Sequence, residues 1–167
     1  SIENGPEWLA IADRFGIVSE RAVLLDALSV LQNLAVPFSL DIEPPSEALR
    51  GQAAALAVEV GLSEEVWDRP VADLAPAGRL RVRLGRALAL GPAMVLLEHP
   101  SAGVLRPEVV NLGRDIRRIL ERRPVAGLTL TADAEFAHAV APRVLTLQPG
   151  TGRLDSRRVG WFRRRAG

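Results

Sequence analysis

Residues 74–105 read LAPAGRLRVRLGRALALGPAMVLLEHPSAGVL, and few folds accept a charged amphipathic helix that runs straight into a short buried strand. Leu80, Leu84, Ala87 and Leu88 recur at helical spacing, while Arg79, Arg83 and Arg86 form a second row at steps of four and three. One face of that helix packs and the other is charged. Gly91-Pro92 breaks it, and residues 93–97 are a continuous apolar run, which predicts a strand buried on both faces of a parallel sheet. Strands of such sheets present chemistry at their carboxyl ends. Glu98 and His99, which stand at that end, are therefore the first candidates for a site.

The remaining pattern alternates helix and strand. Ser46, after Pro44-Pro45, caps a predicted helix running to about Val60, with Leu49, Ala53, Leu56 and Val60 on one side and Gly61 as its stop. Ser63 starts a short helix containing Trp67, expected to pack. Pro107 and Glu108 open another helix, with Val109, Leu112, Ile116, Ile119 and Leu120 inward, Arg114, Arg117, Arg118, Glu121 and Arg122 largely outward, and Pro124 as its end. Strands are predicted at residues 125–130 and 144–147, joined by a helix through Phe136 that carries His138 on its surface. The chain thus divides into an N-terminal segment and strand (1–27), a helical subdomain (28–90), an α/β core (91–155) and an arginine-dense tail (156–167).

Taken in order, these stretches resemble the ATP-binding cassette (ABC) family of transporter ATPases, whose usual form is LSGGQ, a helix ending in ARAL, and an apolar strand ending in Asp-Glu-Pro. Leu74-Ala75-Pro76-Ala77-Gly78 stands at the LSGGQ position. Phe15-Gly16-Ile17-Val18-Ser19-Glu20 looks like the strand entering the Q-loop, and LSVLQNLAVP (residues 28–37) like the helix after it. Leu128-Thr129-Leu130-Thr131-Ala132-Asp133 resembles the strand ending in Thr-His-Asp, PRVLTLQPG (142–150) the strand and turn DRVLVLxDG, and Ser101-Ala102-Gly103-Val104-Leu105 the D-loop. The resemblance spans roughly residues 15–153. It implies a P-loop-NTPase-like α/β fold: a mostly parallel sheet flanked by helices, with an inserted helical subdomain.

What the resemblance implies about chemistry is mixed. Glu98 keeps a carboxylate at the position that orients magnesium, while His99 replaces the glutamate that polarises the attacking water. Glu20 replaces the Q-loop glutamine and, when ionised, can only accept hydrogen bonds. Ala75 lacks the signature hydroxyl and Pro76 an N–H, which leaves Ala77 and Gly78 at the helix start that would face phosphate. Ala132 replaces the switch histidine, and Leu105 the aspartate that ends the D-loop. The chain contains no lysine, so no GxxxxGK[ST] loop exists in it. The P-loop strand is therefore expected to be missing, its central place in the sheet left as a gap for another strand, another chain or residues 1–14, and an upstream segment to have been lost or excluded. On this basis no cofactor is expected in this chain as given. ATP and magnesium enter only with an upstream P-loop, with Glu98 and Glu20 as residual metal contacts.

Composition excludes several classes. Net charge is +1, which gives no global electrostatic case for nucleic acid, and the absence of cysteine removes disulfide and thiolate chemistry. Two well-separated histidines make no metal motif. No apolar run has the length of a membrane span and no signal-peptide layout is present. The family resemblance implies a cytoplasmic protein, peripheral at the inner face of the cell membrane. Its implied function is a degenerate, non-hydrolysing ABC-type subunit that docks on a transporter membrane subunit, through the apolar cluster Val23, Leu24 and Leu25, or pairs with a second ABC-type ATPase. A truncated piece of a competent ATPase is one alternative. Another is a regulatory module acting through the tail, where Arg157, Arg158, Trp161, Phe162, Arg163, Arg164 and Arg165 suit an acidic surface.

Overall fold

The structure, a computed structural model, describes residues 14–156. The arginine-dense tail from Arg157 onward and residues 1–13 lie outside the described residues, and so do the expectations placed on them. Three parallel strands, β1 (Phe15–Val18), β2 (Met94–Glu98) and β3 (Ala126–Leu130), form a sheet in that spatial order. Phe15 is in register with Met94 and Met94 with Ala126, so Ser19, His99 and Thr131 all follow the carboxyl ends at one edge of the molecule.

Between β1 and β2 the chain forms α1 (Val30–Ala35), α2 (Glu47–Glu59), two short 3₁₀ turns and α3 (Pro76–Leu88). α1 is short and held by its cap: the Ser29 hydroxyl accepts from the Gln32 N–H, and the Gln32 amide oxygen accepts from the Ser29 N–H. Ser46 caps α2, and Trp67 packs with its indole N–H donating to the Leu62 carbonyl at 3.1 Å. Leu80, Leu84 and Leu88 of α3 are buried as expected. The charged row of α3 is turned onto the chain rather than left to solvent alone. Arg79 pairs with Asp26, while Arg83 and Arg86 donate to the carbonyls of Ala22 and Val23. They fold over the segment after β1 and satisfy its backbone, because that segment has no ladder partner of its own.

β2 carries the expected apolar run, but only Val95 and Leu97 are fully buried, and Met94 and Leu96 on the other face are partly exposed. From β2 the chain enters α4 (Arg106–Glu121), whose apolar row of Val109, Leu112, Ile116, Ile119 and Leu120 is buried. α5 (Ala134–Val140) lies against it through Gly113, where an added Cβ would stand 2.7 Å from that of Ala139. Arg123, just past α4, forks onto Glu59 at the end of α2 and also donates to the Leu88 carbonyl at 2.7 Å. Both side chains of this pair are about a quarter exposed. Replacing Arg123 with methionine leaves Glu59 without its partner and the Leu88 carbonyl with the Gly91 N–H alone, and is expected to cost about 2 kcal/mol, between the values for surface and buried pairs. Urea unfolding of Arg123→Met beside Glu59→Gln and the double variant checks this: the double variant should lose little more than either single one.

The last predicted strand does not join the sheet. β4 (Leu145–Gln148) pairs antiparallel with β5 (Arg153–Ser156), an element that the sequence pattern did not announce. Leu145, Leu147 and Leu154 of this hairpin are all exposed. Among the described residues no strand pairs with the far side of β3, and Leu128 and Leu130 are 49% and 52% exposed. Ala126 and Leu130 direct their main-chain groups to the β2 side, through Ala126 N–H to the Ala93 carbonyl and His99 N–H to the Leu130 carbonyl. By alternation, those of Gly127 and Thr129 point to the open edge. Among the described residues this edge of β3 is therefore open. None of the described helices is long and apolar enough to cross a membrane.

Candidate functional site

The carboxyl ends of β1 and β2 open into a cavity of about 330 Å³, roofed by α3 and by the loop after β2. Ser19, Glu20, Glu98 and His99 line its sheet side, Pro76, Arg79 and Arg83 its helix side, and Gly103 its rim. The strand register decides this grouping. Val18 opposes Leu97, so the next residues of the two strands stand side by side, and the buried Ser19 hydroxyl donates to Oε2 of Glu98 at 2.8 Å. The same hydroxyl accepts from the Arg21 N–H at 3.1 Å, which fixes its direction. Ser19 was not among the residues singled out in the sequence. Its only signal there was its place beside Glu20.

Glu98 is thus held as an oriented acceptor with its other oxygen unbonded among the described residues. Glu20 is exposed and faces the same cavity. His99 has φ of +45°, a left-handed conformation that residues other than glycine seldom take. Its N–H donates to the Leu130 carbonyl, and its own carbonyl accepts from the Ala102 N–H, so two backbone bonds pin the turn. The exposed imidazole lies between this cavity and a second one, of about 470 Å³, beyond β3.

Thr131, Ala132 and Asp133 line that second cavity together with His99 and Arg106. Ala132 contributes only a methyl group. Asp133 is instead bound structurally: it caps α5 by accepting from the Phe136 N–H at 3.1 Å and pairs with Arg106 at 2.8 Å. The cap bond first, and Arg106 after it, hold the Asp133 carboxyl below the ordinary aspartate value. A carboxyl lowered in the folded state stabilises above its unfolded value, near 4, and that contribution is lost as pH falls through the folded value. Asp133→Ala is therefore expected to lose about 1 kcal/mol at neutral pH, and the gap between its urea midpoint and that of the parent should narrow as pH falls below about 4 and through the lower folded value.

At the start of α3, Ala75 occupies the cap position without a side-chain bond, Pro76 opens the first turn, and Ala77 and Gly78 follow. Among the described residues no side chain makes a cap hydrogen bond there, and Pro76 lies near Gly103 of the loop after β2. Val23 and Leu25 are exposed, at 73% and 41%, and Leu24 is buried. Leu24 lines a separate groove with Phe15, Ile17 and Val36, which Arg83 also reaches. His138 is exposed on α5.

Among the described residues no cluster of three or more His, Cys, Asp or Glu side chains could hold a metal by itself. Magnesium is commonly bound by one or two carboxylates with phosphate oxygens and waters completing the shell. Glu98, oriented by Ser19, and Glu20 fit that partial role and would hold the ion only together with a phosphate.

No protein-family model matches the chain. The Fe(3+) ions import ATP-binding protein FbpC 2 of Rhizobium meliloti is 30% identical over 137 residues, covering 81% of this chain and 34% of that protein. The methionine import ATP-binding protein MetN of Mesorhizobium japonicum is 35% identical over 144 residues, covering 82% and 37%. The chain spans little more than a third of the length of these two relatives. In fold it resembles the ATP-binding cassette MJ0796, solved as a dimer bound to ADP and Pi, with a TM-score of 0.69 and 23% identity over 95% of this chain and 69% of that one. The fold is accordingly that of an ABC ATPase cassette, a P-loop-NTPase-like α/β structure. By sequence the chain is a homologue, over part of their length, of the ATP-binding proteins of ABC transporters.

Proposed function

We propose that the chain acts as an ATP-binding component of an ABC transporter that does not hydrolyse ATP by itself, and that it docks on a membrane subunit or pairs with a competent ATPase. The observation that carries this reading is the pair of replacements at the strand ends. His99 stands beside the oriented Glu98, and Ala132 presents a methyl group to the neighbouring cavity. In the family resemblance, those two positions belong to the glutamate that polarises water and the histidine that contacts the terminal phosphate. Neither an exposed imidazole on a pinned turn nor a methyl reproduces them. Glu98, Ser19 and Glu20 would share a magnesium ion with bound phosphate, and the exposed Val23 and Leu25 offer an apolar contact to a membrane subunit. The ion's contribution would be to neutralise phosphate charge. The test is restoration: where ATP with magnesium binds, measured beside turnover, His99→Glu with Ala132→His should raise phosphate release above that of the parent chain, and equal release from both despite binding would count against the reading.

The open edge of β3 favours a second reading, in which this chain is a segment of a longer ATP-binding protein whose phosphate-cradling strand lies beside Gly127 and Thr129. Hydrogen exchange separates the two. Amides of Gly127 and Thr129 that exchange freely here and become protected in a longer natural chain support the second reading, and equal exchange in both rejects it.

A further inference from the structure

The helix side of the 330 Å³ cavity holds charge that the proposed function leaves unused. Arg79 and Arg83 lie one turn apart on α3, a spacing that places their side chains next to each other. Arg83 is partly buried, and its one hydrogen bond among the described residues is from Nε to the neutral Ala22 carbonyl at 3.2 Å. No carboxylate of the described residues forms an ion pair with it. Its guanidinium is held below its ordinary value, first by burial and next by repulsion from Arg79, with Glu20 and Asp26 attracting it more weakly. Arg79 is also partly exposed and shares its charge with the more exposed Asp26 at 2.7 Å.

A partly desolvated guanidinium without a carboxylate partner is unfavourable by itself. The Ala22 carbonyl occupies only the Nε of Arg83, and no hydrogen bond among the described residues uses its two terminal nitrogens. Two adjacent guanidinium groups present planar forks that match the oxygens of a tetrahedral oxyanion, and they tolerate its double charge better than a single lysine would. Glu20, Glu98 and His99 on the opposite side supply acceptors for a bridging magnesium ion or for the proton of hydrogen phosphate.

We propose that Arg83, assisted by Arg79, binds a phosphate-type oxyanion inside this cavity, between α3 and the carboxyl ends of β1 and β2 of the same chain. The site rests on the proposed function for its ligand class, since the oxyanion is either free phosphate or a phosphoryl group of a nucleotide. It differs from that reading in naming arginine side chains of α3 as the holding groups, in a chain without lysine.

Calorimetric titration of the 167-residue chain with inorganic phosphate, and separately with ATP, each with magnesium, tests the site in Arg83→Met, Arg83→Lys and Glu98→Gln variants. Urea midpoints of each variant establish that it is folded. The expected result is at least a tenfold loss of affinity in Arg83→Met, with partial recovery in Arg83→Lys, for whichever ligand binds. Loss confined to inorganic phosphate supports the site with free phosphate as its ligand, and loss confined to ATP supports it with a nucleotide phosphoryl group. ATP binding that Arg83→Met leaves unchanged, while Glu98→Gln alters it, overturns the arginine site and leaves the nucleotide reading standing. Absence of binding by either ligand overturns the site and removes the nucleotide from this cavity as well.

Discussion

The Asn33→Leu variant is expected to unfold at a much lower urea concentration than the parent chain, losing about 3 kcal/mol. Asn33 is completely buried on α1, with every polar atom in use. Its Oδ1 accepts from the Leu25 N–H at 2.9 Å, while Nδ2 donates to the carbonyls of Leu25 and Ser29 at 3.0 Å and, more weakly, to that of Leu28 at 3.3 Å. One side chain therefore closes the turn that leads from β1 into the helices. Leucine is close in volume, so little cavity forms, and the loss comes from the Leu25 N–H left without a partner and from three carbonyls that each keep only one backbone donor, Leu28, Val71 or Asn33 N–H. The effect should extend to the site, because the turn held by Asn33 directly follows Glu20–Leu24. Equal midpoints for Asn33→Leu and its parent would show that water reaches that turn.

Gly16→Val is expected to be comparably damaging, at about 2–3 kcal/mol. Gly16 is in β1 where α3 crosses it, and an added Cβ would stand 2.6 Å from the Ala87 carbonyl oxygen and 3.1 Å from the Ala87 Cβ. The obstructing atom is backbone in the middle of a packed region, so relief requires β1 and α3 to separate. That separation would move Ser19 away from Glu98, whose hydrogen bond depends on the β1–β2 register. Urea unfolding gives the stability loss. In Gly51→Ala, where nothing lies within 4 Å of an added Cβ, the midpoint should instead hold or rise.

Local chemistry made much of this molecule readable from residues alone. The Ser46 cap with the Leu49, Ala53, Leu56 and Val60 row defined one helix, and the Pro107 start with the Val109-to-Leu120 row defined another, because both patterns repeat with the helical period. β2 and β3 were legible as short apolar runs, and the end of β2 located Glu98 and His99, whereas β1 and Glu20 were read only from the family resemblance. Interactions across long sequence separations were not legible. Ser19 meets Glu98 only through the strand register, and Arg81, outside the arginine row that the spacing marked, reaches the Val60 carbonyl and Asp115. Asn33 read as an ordinary helix residue, since nothing in LQNLAVP shows that its amide faces the preceding turn. The β4–β5 hairpin was missed because Arg153-Leu154-Asp155-Ser156 has weak strand character and is paired through the Pro149–Gly152 turn rather than through burial.

The measurement that bears most directly on the central claim is phosphate release from ATP by the purified 167-residue chain, with magnesium, beside Glu98→Gln. A chain that binds phosphate groups without positioning water should release none above the buffer rate, and Glu98→Gln should leave that rate unchanged. Sustained release by the parent chain, abolished by Glu98→Gln, would contradict the account and make His99 or Glu20 a working base.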